Sequence, residues 1–186
     1  SLSANCGYCF QVAATNGIQD STKTDCIPKY TLAGQPSYPS NIYCDRSTGV
    51  WYPTGTTFAF TNPAGFGTCG QYRASKFGWV MDTNPTHTWT GSEPEWSASS
   101  ISQTPTATGS YYLHLRSFNA ESVANPTALD LGPYGVDVDL PSTPAVTDDG
   151  TAQLATNSLH AAWSSSDATT GVCVYKYAIG AQATDP

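Results

Sequence analysis

The chain has 186 residues, with 7 Lys plus Arg against 14 Asp plus Glu for a net charge of -7, and only 11% of it is charged, where globular proteins average about 25%. An acidic chain without clustered Lys and Arg lacks the electrostatic footprint of a nucleic-acid binder, and no apolar run approaches the ~20 residues of a membrane helix. No charged-then-apolar segment opens it, so any export signal is expected to have been removed or to lie outside it.

In chain order, short alternating runs predict strands over residues 8–15, 56–62, 77–82, 110–119, 158–164 and 172–180. Gly, Pro, Asn and Asp clusters separate them. No window repeats apolar residues at helical spacing. Residues 84–109 are Ser/Thr-rich and are expected to hold a long loop plus two short strands. The predicted class is all-β, a sandwich.

Six cysteines and a polarity carried by Ser, Thr, Asn and Gln rather than Lys and Glu suit a disulfide-bonded, secreted protein. Cys6 and Cys9 form a C-x-x-C, but no second pair follows at zinc spacing. Cys9 sits in an alternating run rather than at a helix start, which argues against a redox motif. The sequons at Asn84 and Asn125 are spoiled by proline.

The chain repeats itself. Tyr8-Cys-Phe-Gln-Val-Ala-Ala-Thr-Asn16 and Tyr111-Tyr-Leu-His-Leu-Arg-Ser-Phe-Asn119 share the pattern Tyr-x-apolar-x-apolar-x-small-x-Asn at an offset of 103. Phe77-Gly-Trp-Val-Met81 matches Tyr175-Lys-Tyr-Ala-Ile179 at an offset of 98, and Phe58-Ala-Phe60 matches Leu159-His-Ala161 at 101. Three pairs in one order and at nearly one offset indicate duplicated units.

The Tyr-led pattern resembles strand F of fibronectin type III and related Ig-like domains, especially the tandem modules of bacterial secreted and surface proteins. The resemblance implies that Tyr8 and Tyr111 form tyrosine corners. Leu159-His-Ala-Ala-Trp163 and Tyr175-Lys-Tyr177 look like strands B and C, with Trp163 in a core. On this layout residues 1–33 hold strands F and G of a split domain. Residues 37–139 hold a complete domain with a long Gly-rich B–C connection. Residues 140–186 hold strands A, B and C of a split domain. Neither half buries its inner face alone. The halves could meet as a circularly permuted domain, between chains by strand complementation, or along a longer tandem protein. The last two are preferred, because intramolecular closure must reach past the complete domain.

The same layout implies the disulfides Cys44–Cys69, joining the start of strand A to the B–C connection, and Cys26–Cys173, locking the halves together. Cys6 and Cys9 point to opposite sides of one strand, which leaves one of them for a bond to another chain.

Chemistry is sparse. His114 and His160 fall on the outward parity of their strands, and His87 lies in a polar loop without an evident acidic partner. Glu93 and Glu95 are two apart beside Trp96 and read as surface decoration. No G-x-S-x-G, H-E-x-x-H or P-loop occurs, so no enzyme, catalytic residue or cofactor is expected. Calcium is the one candidate ion, at Asp137, Asp139 and Asp148-Asp149-Gly150, although Asp-Gly is also a plain turn signal. Trp51, Tyr52, Trp89, Trp96, Tyr72, Tyr38 and Tyr43 lie off the core parity. They would either cement modules together or stack on sugar rings. The expected function is an extracellular stalk, fibre or filament built by head-to-tail self-association, with adhesion; the rival is a glycan-binding module of a secreted protein.

Overall fold

The structure, a computed structural model, describes residues 1–148, 150 and 160–180. These residues are all-β. The strands are β1 (Gly7–Tyr8), β2 (Lys29–Tyr30), β3 (Tyr43–Cys44), β4 (Trp51–Pro53), β5 (Phe58–Thr61), β6 (Lys76–Asp82), β7 (Glu95–Trp96), β8 (Ser100–Gln103), β9 (Gly109–Phe118), β10 (Leu129–Asp137), β11 (Ala145–Asp148) and β12 (Ala161–Ser164). Among the described residues, no helix is long and apolar enough to cross a membrane.

Two sheets enclose the core. One has the order β3-β5-β8, the other β4-β10-β9-β6-β7. Strand alternation explains the packing. On β5, Phe58 and Phe60 are buried while Ala59 and Thr61 are exposed. Across from them, Leu113, Leu115, Tyr134 and Val136 are buried on β9 and β10. The Tyr134 ring lies 5.1 Å from Phe58 and 5.8 Å from Phe60, joining the sheets. Phe66, Phe77 and Trp96 form a second aromatic group at 5.4–5.5 Å. The β9–β10 ladder shifts register between Leu131 and Tyr134. Pro133 has no N–H to give to a ladder, so it is accommodated at this bulge. A Cβ on Gly132 would come within 2.7 Å of the Tyr111 carbonyl oxygen, so a larger residue does not fit the bulge.

Residues 5–32 form an arm. β1 pairs antiparallel with β2, and the ladder continues through Thr24 N–H to the Val12 carbonyl and Ser21 N–H to the Ala14 carbonyl. Asn16 Oδ1 accepts from Ile18 and Gln19 N–H at 2.9 Å each, an Asx turn that closes the tip. The arm is fixed at its base. The Asn5 side chain, fully buried, donates to the Gly67 carbonyl at 2.6 Å and to Ser75 Oγ, and accepts from Ala120 N–H. Glu121 holds Lys29 Nζ at 3.1 Å and Tyr30 N–H at 3.2 Å.

At the other end β11 and β12 form a two-stranded sheet whose residues are all exposed. The strand expected over residues 172–180 does not form in the single chain. A strand needs a partner for its N–H and C=O groups, and among the described residues none is paired with it. The strand expected over 158–164 begins at Ala161; Ser158 and Leu159 lie outside the described residues. Residues 84–109 carry two short strands, β7 and β8.

The disulfides differ from the sequence expectation. The bonds are Cys6–Cys69 and Cys9–Cys26, while Cys44 is free and buried and Cys173 free and exposed. The Gly-rich connection after β5 does not run back along β3. It swings to the base of the arm, where Cys69 N–H donates to the Asn5 carbonyl and Gly70 N–H to that of Ala4. This sets Cys69 opposite Cys6 and leaves Cys44 inside the core. Cys9 and Cys26 face each other across the arm, so neither Cys6 nor Cys9 is left for another chain, and Cys26 is not available to Cys173. One thiol, that of Cys173, is expected to react with a thiol reagent in the native protein, and a second, that of Cys44, only on unfolding. Mass spectrometry of alkylated protein with and without denaturant checks this.

Candidate functional site

Three features bear on function: the apolar faces of the two ends, a histidine cluster under a loop, and two open grooves. The apolar faces dominate. On the arm Phe10 is 89% exposed and Val12 64%, with Ile18 and Ile27 also bare. Near the other end Tyr177 is 71% and Ile179 78% exposed, joined by Val146 and Val174. In the arm, alternation along the ladder puts Phe10 and Val12 on one face. Large apolar side chains left this bare are candidates for an interaction surface.

Trp163, expected in a core, is 38% exposed. It packs against nearby rings, with centroids 6.3 Å from Tyr175 and 5.3 Å from Tyr177. Tyr8 Oη accepts from Ser3 N–H at 2.8 Å. Tyr111 Oη donates to the Ala107 carbonyl, four residues upstream, at 2.9 Å.

The histidine cluster was not legible as such. His114, expected on the surface, is fully buried. It does point away from the core, but the loop after β6 folds over that outer face. Trp89 lies above Gly78, where a Cβ would come within 3.3 Å of its ring, and the His87 ring stacks on His114 at 5.5 Å. His114 Nδ1 meets Asp130 Oδ1 at 2.6 Å, and its Nε2 lies 3.5 Å from Asp82 Oδ1. His87, expected to lack an acidic partner, has Glu93 at 3.2 Å and Asp82 at 3.7 Å. A strand-parity pairing of Asp82 with His114 could have signalled the cluster, since both lie on the outer side of adjacent strands. His160 is exposed.

Glu93 ties this loop together rather than decorating the surface. Its carboxylate accepts from Thr90 N–H at 2.6 Å, Thr90 Oγ1 at 2.9 Å and Gly91 N–H at 2.9 Å. The Thr90 N–H foremost, then Glu93's own N–H, the Thr90 hydroxyl and His87, bring its pKa down to about 2, from about 4.3 in an unfolded chain. A pKa lower in the folded state means the stabilisation is full above the unfolded value and is lost as pH falls through the folded one. The Thr90 and Gly91 amide resonances are therefore expected to hold constant down to about pH 4 and to shift toward pH 2; Glu93→Gln should abolish that transition. Glu95 instead pairs with Lys76 at 2.5 Å.

The off-parity aromatics separate by environment. Trp96 is buried in the core, Tyr52 packs edge-on against Phe58 at 5.5 Å, and Trp89 covers the sheet. Tyr38 and Tyr72, each 47% exposed, share an open groove of about 620 Å³ with Gln35 and Gln71. Trp51, 44% exposed, lines a smaller groove of about 290 Å³ with Asp137, Asp139 and Thr170. The oxygens of these two aspartates are occupied by hydroxyls: Thr170 donates to Asp137 and Thr108 to Asp139, at 2.8 and 2.7 Å. Asp148 Oδ1 accepts from Gly150 N–H at 2.9 Å, the turn geometry of an Asp-x-Gly sequence; Asp149 lies outside the described residues. Among the described residues, no group of three or more His, Cys, Asp or Glu is arranged to hold a metal ion.

The chain matches no protein-family model, and neither the curated proteins nor the solved structures give a match.

Proposed function

We propose that the chain is an extracellular structural protein of Ig-like, fibronectin type III-like sandwiches that assembles head to tail into a stalk or filament. The sheet order supports the Ig-like reading. Taking β3, β5 and β8 as strands A, B and E, and β6, β7, β9 and β10 as C, C′, F and G, gives an A-B-E sheet facing a G-F-C-C′ sheet. The Tyr111 hydrogen bond to Ala107 has the form of a tyrosine corner. Two disulfides suit an oxidising, extracellular setting.

The observation that carries the assembly reading is the pair of bare apolar groups, Phe10 and Val12 near one end and Tyr177 and Ile179 near the other. Fully burying such a side chain contributes about 1.5–3 kcal/mol, so four together offset a substantial part of the ~4–15 kcal/mol cost of association. A head-to-tail contact does not close on itself and so propagates. In this reading the histidine cluster is a clamp for the loop over the outer sheet face, because a fully buried His114 is out of reach of a substrate.

Sedimentation velocity and electron microscopy of non-reduced protein test the proposal. Concentration-dependent polymers are expected, with Val12→Asp reducing them to a 19.6 kDa species, since a charge buried at the contact is left unpaired. A wild-type protein that stays at that mass at all concentrations would refute assembly.

A second reading rests on the groove between Tyr38 and Tyr72, whose rings and flanking Gln35 and Gln71 amides suit a sugar face and its hydroxyls. Oligosaccharide binding lost in Tyr72→Ala, with assembly unchanged, would place a glycan there.

A further inference from the structure

We infer that the arm of one copy takes the segment 172–180 of a second copy as an added antiparallel strand, in the register Val12 opposite Tyr177 and Phe10 opposite Ile179. This rests on the assembly reading above and specifies its partner and geometry.

The two-sheet body supplies the template. There β9 lies between β10 and β6. Trp79 stands opposite Leu115, and Met81 opposite Leu113. The internal repeat maps this ladder onto the ends of the chain. An offset of 103 carries Leu115 to Val12 and Leu113 to Phe10. An offset of 98 carries Trp79 to Tyr177 and Met81 to Ile179. The offsets come from sequence alone, and solvent exposure is independent of them. Yet the mapped residues are the ones the single chain leaves bare. Leu113 and Leu115 are fully buried, and Trp79 and Met81 pack on the core. Their counterparts Phe10, Val12, Tyr177 and Ile179 are 64–89% exposed.

The backbone agrees. In the arm, Val12 and Ala14 spend their carbonyls on Thr24 and Ser21, which is the β10-like side. Strand geometry turns the backbone groups of Gln11 and Ala13 to the opposite edge, which is where β6 lies beside β9. Among the described residues, segment 172–180 pairs with no strand. The added strand would thus complete both ladders at once, as in β-strand addition, and would cover one face of Trp163 through Tyr177. The occupant is a second copy because the missing strand is encoded in this same chain, and because no backbone hydrogen bond joins the arm to segment 172–180 among the described residues.

Disulfide trapping reads the register. All variants carry Cys173→Ser, which removes the exposed native thiol. One population carries Val12→Cys and the other Tyr177→Cys; both positions are exposed in the single chain, so neither substitution disturbs its core. Mixed under mild oxidation, they are expected to give a product of twice the chain mass. It should form at least tenfold faster than with Val12→Cys and Val174→Cys, and neither population alone should give it. A chain carrying both Val12→Cys and Tyr177→Cys should give a ladder on a non-reducing gel. Equal trapping of the two pairs, with polymers still present by sedimentation, would overturn the register and leave the assembly reading intact. An internal bond at monomer mass in the doubly substituted chain would overturn the second copy as occupant. Absence of polymers in the unsubstituted protein would defeat both the register and the assembly reading.

Discussion

Phe60→Ala is expected to destabilise the two-sheet body by about 3–5 kcal/mol, the cost of truncating a large buried aromatic residue. Phe60 is fully buried and stands 5.8 Å from Tyr134, edge to face, at the place where the two sheets meet. Its β-ladder partners are Cys44 on one side and Ile101 on the other. Truncation opens a cavity beneath both, and neither backbone can close it without breaking a ladder. For a body of this size each kcal/mol moves the melting temperature by about 4–8 °C, so a fall of roughly 12–40 °C should be seen by calorimetry. Ala59→Ser, one residue away on the exposed face, should change stability by no more than about 0.5 kcal/mol. If Phe60→Ala melted like the parent, the sheets would not share the core described here.

The second large effect concerns the arm. Replacing both Cys6 and Cys69 by Ser is expected to cost about 4 kcal/mol, the chain-entropy value for a loop of the 63-residue separation they close. This bond ties the arm to the connection after β5, beside the Asn5 hydrogen bonds to Gly67, Ser75 and Ala120. Hydrogen exchange should quicken first at the Cys6, Thr31, Cys69 and Gly70 amides. Replacing Cys9 and Cys26 acts differently. Their bond lies within the exposed arm, 17 residues apart, so the core melting temperature should hold while protection of the Val12–Thr24 ladder falls. Equal effects of the two double variants on the core would mean that the arm is not anchored through Cys69.

These two outcomes show how far local pattern reaches. Phe58 and Phe60 could be assigned to a core from alternation alone, because a β-strand has a period of 2 and β5 keeps it without interruption. The same rule misjudged His114. It gave the direction of the side chain correctly, away from Leu113 and Leu115, but took the outer face of the sheet to be solvent. A loop that follows β6 by sequence covers that face with His87 and Trp89, and parity on one strand carries no information about what lies above it. The aromatics off the core parity were a mixed set for the same reason. Trp96 is buried because it sits on a two-residue strand packed against Phe66 and Phe77, whereas Tyr38 and Tyr72 are left open by the curvature of the groove between them.

By itself the sequence determined an all-β chain and the strands at β5, β6 and β9. Each of these is written in residue periodicity, which is local. Only the tertiary structure decided that Cys69 meets Cys6 and Cys9 meets Cys26, that Cys44 is sealed in the core, that His114 lies under a loop, and that Phe10, Val12, Tyr177 and Ile179 stay bare. Each of these depends on where a connection travels in space. A flexible connection such as the Gly-rich one after β5 can reach several places at similar conformational cost, so its course is set by the hydrogen bonds at Ala4 and Asn5 and by the Cys69–Cys6 bond.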